Sequence, residues 1–157
     1  MRVGFGYDIH RLEAGRKLFL CGVEIPHEKG LIGHSDADSA LHAIADALLG
    51  ASGLGDIGEH FPNSDPAYKD IRSSELLKKV YSYLVDKELT IGNVDVMIIA
   101  EQPSIQPFKS AMREAVAKAL MIDVQRVNIK ATTNEGVGLV GSGDAIASYA
   151  VVSLRER

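Results

Sequence analysis

The most constraining feature lies at the start of the chain, where residues 2–12 alternate with period two. Val3, Phe5, Tyr7 and Ile9 fall on one side, and Arg2, Gly4, Gly6, Asp8 and His10 on the other. Such a period over this length predicts an extended strand with one packed face. It sets Asp8 and His10 on the same side, roughly 6.6 Å apart at Cα. Gly4 and Gly6 precede them there, leaving space rather than bulk.

Residues 13–16 read as a turn and 17–25 as a second strand. A helix is expected over 37–49, where Ala37, Leu41, Ile44, Ala45 and Leu48 form an apolar stripe. Ser35 or Asp36 can cap its start, and Gly50 suits the position after its end. Two further amphipathic helices are expected, over 74–86 (Leu77, Val80, Tyr81 and Leu84 inward) and over 107–120, with Pro107 in the first turn. Strands are expected at 94–101 and 127–131, while 145–154 reads as a buried strand or a short helix. Strands at both ends with helices between them point to the α/β class, a mixed sheet covered by a helical layer. With 157 residues and no repeat or low-complexity tract, 1–157 is read as one domain.

Charge and cysteine content narrow the function. The formal net charge of −4 disfavours bulk attraction to nucleic acid or to a membrane surface. A single cysteine, Cys21, excludes an intrachain disulfide framework. No signal-peptide or membrane-spanning apolar run is present, so a cytoplasmic protein is expected.

Candidate chemistry centres on Asp8-x-His10. The helix expected over 37–49 offers Asp38, His42 and Asp46 at i, i+4 and i+8, a polar ridge opposite its apolar stripe. Asp8, His10 and His42 could therefore converge on one ion. Two imidazoles and one carboxylate suit catalytic Zn²⁺ with a fourth position open, and Asp38 or Asp46 could orient His42. Solvent exposure of the D-x-H pair is the competing reading. At 33–38, Gly-His-Ser-Asp-Ala-Asp, His34 could donate to a phosphate at a helix start; ordinary capping by Ser35 or Asp36 competes. Both G-x-G-x-x-G stretches, at 53–58 and 136–141, lack the strand–turn–helix context and length of a dinucleotide fingerprint. Residues 58–66 read as an irregular functional loop. Glu135, after Lys130-Ala131-Thr132-Thr133, is a hard oxygen donor suited to Mg²⁺ or Mn²⁺ held jointly with substrate phosphates.

Five blocks carry a resemblance: GYDIHRL (6–12), GVEIPHEKGLIGHSDADSALHAIADALLGA (22–51), GLGDIGEHFPNSDP (53–66), GNVDVMIIAEQP (92–103) and IKATTNEGVGLVGSGDAIA (129–147). The chain resembles the 2-C-methyl-D-erythritol 2,4-cyclodiphosphate synthase family of the non-mevalonate isoprenoid route. The resemblance implies a homotrimer with active sites between subunits and Zn²⁺ on Asp8, His10 and His42. It implies cyclisation of 4-diphosphocytidyl-2-C-methyl-D-erythritol 2-phosphate with release of CMP. It implies Glu135 as ligand to a second divalent ion, and His34 and Thr133 as catalytic groups near the phosphates. Substrate contacts are implied for Asp8, His10, Ser35, Asp56, Ile57 and Gly58, then for Phe61, Asn63 and Asp65. The cytosine segment would comprise Ala100, Pro103, Ser104, Ile105 and Gln106, with Ala131, Thr132 and Glu135 close to the phosphates. Leu139 and Ser142 fall on the segment near the trimer axis. Asn63 stands where the family usually has Asp, Ser104 where some members have Lys, and Leu139 and Ser142 where some have Phe and Arg. Two other readings remain open on the sequence: a zinc phosphohydrolase that activates water, and a trimeric binding module with a closed structural metal site.

Overall fold

Strand β1 (Arg2–Ala14) is the spine of the molecule. The computed structural model describes residues 1–157. Its main sheet has the order β4-β1-β7-β5-β6, where β4 is Lys29–Leu31, β5 Leu89–Ile99, β6 Val127–Thr132 and β7 Ala145–Glu156. All pairs are antiparallel except β5 with β6. The sheet is therefore mixed, as expected, and 145–154 is strand. Its own β-branched and aromatic residues suit the pleated surface between two partners.

Residues 17–25 depart from the expected single strand. They form a hairpin of β2 (Leu18–Leu20) and β3 (Val23–Ile25), turned at Cys21 and Gly22. Both turn residues have positive φ, 51° and 77°, the backbone that a tight two-residue hairpin demands. Cys21 adopts it because the Asp38 carboxylate accepts the N–H groups of Cys21 (3.0 Å) and Gly22 (2.7 Å).

Helix α1 (Ser39–Ser52) starts two residues later than the stripe suggested. Ala37 has a positive φ of 57° and cannot continue a helix backwards. Asp38, neither Ser35 nor Asp36, is the cap and accepts from Leu41 N–H at 3.0 Å. Gly53, in the left-handed conformation, ends the helix in place of Gly50.

The packed face of β1 is the glycine face. A Cβ on Gly4 would lie 1.8 Å from the Ala47 carbonyl oxygen, and one on Gly6 would lie 1.9 Å from that of Ala43. The space expected beside Asp8 and His10 is filled by the α1 backbone. Val3, Phe5, Tyr7 and Ile9 are exposed instead. They join Tyr149 and Val151 of β7, opposite them in register, in one apolar sheet surface.

The remaining helices complete the cover. The α2 helix (Ile57–His60) and the 3₁₀ turn Pro66–Tyr68 occupy the stretch read as an irregular loop, capped by Asp56 and Asp65. Helix α3 (Ser73–Asp86) buries Leu76, Leu77, Val80 and Leu84 and packs on α1. A 3₁₀ turn, Gln106–Phe108, leads into α4 (Lys109–Ala119), which packs on β6. The short α5 (Gly138–Gly141) precedes β7.

Candidate metal centre and substrate cleft

Only His42, Asp46 and Gly50 of α1 escape burial, so the polar ridge is the one edge of a helix enclosed elsewhere. Close seating of α1 on the glycines of β1 brings that edge beside Asp8 and His10. One ligand atom from each of Asp8, His10 and His42 lies within 4.8 Å of the others. Asp8 Oδ2 is 2.8 Å from His10 Nδ1 and 3.2 Å from His42 Nδ1. The His10 Nδ1 is buried and, despite the short contact, lacks hydrogen-bond geometry to Asp8 or any other partner.

A buried nitrogen without a partner is costly in a folded chain. Two imidazole nitrogens and a carboxylate oxygen facing one point are a fitting donor set for a divalent ion. No fourth protein donor joins them. Asp46 Oδ1 instead accepts from Ile57 N–H at 2.7 Å, and His34 stands outside the set. An open set of three is the pattern of a catalytic site, and it disfavours the closed structural metal.

Asp38 and Asp46 do not orient His42, contrary to the expectation. Asp38 is fully buried under the β2–β3 hairpin, and Asp46 anchors the start of α2. The His42 Nε2 meets Ser73 Oγ at 2.9 Å and Ser35 Oγ at 3.2 Å. Ser73 was missed because it lies 31 residues away, delivered by the first turn of α3.

Electrostatics match the clustering. Burial pushes the Asp8 carboxyl up, but the hydrogen bond with His42 and the charge of the adjacent His10 and His42 rings outweigh it and hold the group below its ordinary value. Burial pushes His42 down, yet Asp8, with Asp38 and Asp36 behind it, raises it above the usual imidazole range. Asp38 is pushed up to about 6 by burial, against the pull of the Leu41 and Gly22 N–H groups.

Around the three donors opens a cleft of about 450 Å³. His34 and Ser35 line it from the segment before α1; Ile57, Gly58, Phe61 and Asn63 line it from α2 and the following turn. The His34 Nε2 is buried without a partner. Asp56 and Asp65 are helix caps outside the lining. A second cleft, about 220 Å³, lies over the parallel edge of the sheet. Ala100, Pro103, Ser104, Ile105 and Gln106 line one side, and Ala131, Thr132 and Thr133 the other. The two clefts share no lining residue. Glu135, Leu139 and Ser142 lie outside both, on the exposed segment leading to β7. Glu101, not anticipated, braces that segment by accepting from Asn134 N–H at 2.7 Å and Gly136 N–H at 3.2 Å.

Comparison with known proteins agrees with this arrangement. Residues 1–155 match the YgbB family. The chain is 57 % identical over 154 residues to 2-C-methyl-D-erythritol 2,4-cyclodiphosphate synthase of Alkaliphilus metalliredigens, covering 98 % of this chain and 97 % of that one. It is 55 % identical to the same enzyme of Geobacter sulfurreducens, over the whole length of both. A solved structure of 2C-methyl-D-erythritol-2,4-cyclodiphosphate synthase in its CDP-bound form superposes with a TM-score of 0.91 at 34 % identity, covering 98 % of this chain and all of that one.

Proposed function

The chain belongs to the YgbB family, and from that membership we propose the reaction its site carries out. It is a metal-dependent lyase that cyclises 4-diphosphocytidyl-2-C-methyl-D-erythritol 2-phosphate to 2-C-methyl-D-erythritol 2,4-cyclodiphosphate and releases CMP. The observation that carries it is the convergence of Asp8, His10 and His42 donors with no fourth protein ligand, at the floor of an open cleft. In the reaction the 2-phosphate oxygen attacks the β-phosphorus, and the bond from that phosphorus to the CMP oxygen breaks.

Family membership and the lining of the two clefts support the finer assignments. The two nitrogen donors favour Zn²⁺ over an oxygen-preferring ion at the three-residue site. Held by Asp8, His10 and His42, a divalent ion would supply Lewis-acid chemistry, offsetting negative charge on the phosphoryl groups. Asp8, His10 and His42 fix its position; the chain's other groups align the substrate around it. His34, which lines the cleft and whose buried Nε2 has no partner, donates to a phosphate oxygen, and the Thr133 hydroxyl holds the diphosphate. Ser35, Ile57, Gly58, Phe61 and Asn63 cradle the sugar end, with Asp56 and Asp65 setting the loops that carry them. Ala100, Pro103, Ser104, Ile105 and Gln106 receive cytosine, while Ala131, Thr132 and Glu135 flank the phosphates. Glu135 takes Mg²⁺ or Mn²⁺ together with them.

Two clefts without a common wall make one site only when copies assemble. The apolar surface of Val3, Phe5, Tyr7, Ile9, Tyr149 and Val151 is what a second copy would cover. A homotrimer, with Leu139 and Ser142 toward its axis, satisfies both demands. Residues 1–157 act as one catalytic domain. No helix is long and apolar enough to cross a membrane; the polar substrate and the net charge of −4 suit a cytoplasmic enzyme without nucleic-acid partners.

Phosphorus NMR of the products tests the assignment. A cyclic diphosphate with equimolar CMP, lost on chelation and in His42→Ala with the fold retained, is expected. A linear diphosphate would mean that the site activates water, and the hydrolase reading would replace this one.

A further inference from the structure

The metal reading leaves one question about His42 that the residues around it answer. An imidazole can bind an ion through Nδ1 only if that nitrogen is bare, and the partner of the other nitrogen decides this. The Asp36 carboxylate accepts the Ser73 N–H at 3.1 Å and, on its other oxygen, the Ser73 hydroxyl. An ionised carboxylate only accepts, and a serine has one hydroxyl hydrogen. That hydrogen is committed to Asp36. Ser73 Oγ, 2.9 Å from His42 Nε2, has only lone pairs left for it. The donor across that contact is therefore His42 Nε2–H. Ser35 Oγ lies farther from the same nitrogen, at 3.2 Å, and its hydroxyl hydrogen has an acceptor elsewhere: Ser73 Oγ at 3.4 Å, whose own hydrogen is committed to Asp36.

We propose that Asp36 and Ser73 form a relay that orients His42: Asp36 orders the Ser73 hydroxyl, Ser73 accepts from His42 Nε2–H, and Nδ1, which faces Asp8, is the nitrogen kept for the ion. It rests on the reading of Asp8, His10 and His42 as metal ligands. Ser73 and Asp36 are positioning residues acting through His42. Burial of Ser73 at the first turn of α3 keeps water from substituting for its hydroxyl. The relay also couples the seating of α3 on α1 to the quality of the metal site.

Zinc affinity by chelator competition, measured on wild type, Ser73→Ala and Ser73→Thr, tests the relay. Ser73→Ala keeps the backbone N–H that Asp36 accepts, so a merely structural role predicts unchanged affinity. The relay predicts a loss of about 10–100-fold, the range for such partners of metal-bound histidines, and recovery in Ser73→Thr. Proton NMR of the zinc-loaded protein adds a direct readout. The His42 Nε2–H resonance should be protected from exchange in wild type and Ser73→Thr and broadened in Ser73→Ala. Asp36→Asn, which places an amide donor against a Ser73 donor, should weaken zinc binding as well, and it decides the matter if Ser73→Ala does not fold. Unchanged affinity with a protected resonance in Ser73→Ala, or unchanged affinity in Asp36→Asn, overturns the relay alone. Failure of the wild-type protein to bind zinc, or full binding by His42→Ala, overturns the metal reading and the relay with it.

Discussion

Replacing Gly6 with Ala adds one methyl group at the contact that builds the metal centre. The new Cβ would stand 1.9 Å from the Ala43 carbonyl oxygen and 2.9 Å from Ala47 N, both backbone atoms that no rotamer change can move. Ordinary contact begins near 3.4 Å, so α1 must retreat by about 1.5 Å, an overpacking that costs roughly 1–3 kcal/mol. His42 adjoins Ala43, and Asp8 lies two residues beyond Gly6 on β1, so the retreat separates the donors. Metal sites tolerate about 0.2 Å of error in ligand distance; a shift of this size should weaken zinc binding at least tenfold. Gly50→Ala is the control, because nothing lies within 4 Å of its added Cβ and it sits inside α1. It should stabilise the protein by roughly 0.5–1 kcal/mol with zinc binding unchanged. Denaturant unfolding and chelator competition on the two variants measure both effects. Gly6→Ala with wild-type stability and zinc affinity would refute the argument that helix seating sets the ligand geometry.

Other substitutions probe separate parts of the account. Asp38 has a folded value of about 6, above the ordinary 3.8, so its stabilising contribution is full below the ordinary value and is lost as pH rises through 6. Asp38→Asn should therefore destabilise the metal-free protein more at pH 4.5 than at pH 7, by about 2 kcal/mol; denaturation at the two pH values checks the sign. Phe5→Glu, on an exposed face of β1, should leave a folded chain of 16.9 kDa in sizing experiments and abolish turnover while retaining zinc. Glu101→Ala frees the N–H groups of Asn134 and Gly136 and should lower kcat at least tenfold, about 1.4 kcal/mol, without altering zinc affinity. Steady-state kinetics beside a zinc titration separates those two quantities.

The parts of the site that follow local periodicity were legible in the sequence. Period two placed Asp8 and His10 together, and helical spacing placed His42 on the edge facing them. The glycines were misread because a strand glycine announces close approach without saying of what; here it is the backbone of α1. Alternation likewise assigned the apolar side of β1 to a packed face, whereas in the single chain that side is open. The hairpin at 17–25 was hidden in one apolar run, although Cys21-Gly22 sits where the turn falls. Asp38 was misassigned because its partners, Cys21 and Gly22, are 17 and 16 residues away. Ser73 carries no local signal at all: its role depends on where α3 docks.

The most direct test of the whole account is a crystal structure of the protein with Zn²⁺ and CMP. The account predicts zinc on Asp8, His10 Nδ1 and His42 Nδ1 with a non-protein fourth ligand, and cytosine held by residues 100–106 of a neighbouring copy. A fourth protein ligand on the metal, or a nucleotide bound wholly within one chain, would contradict it.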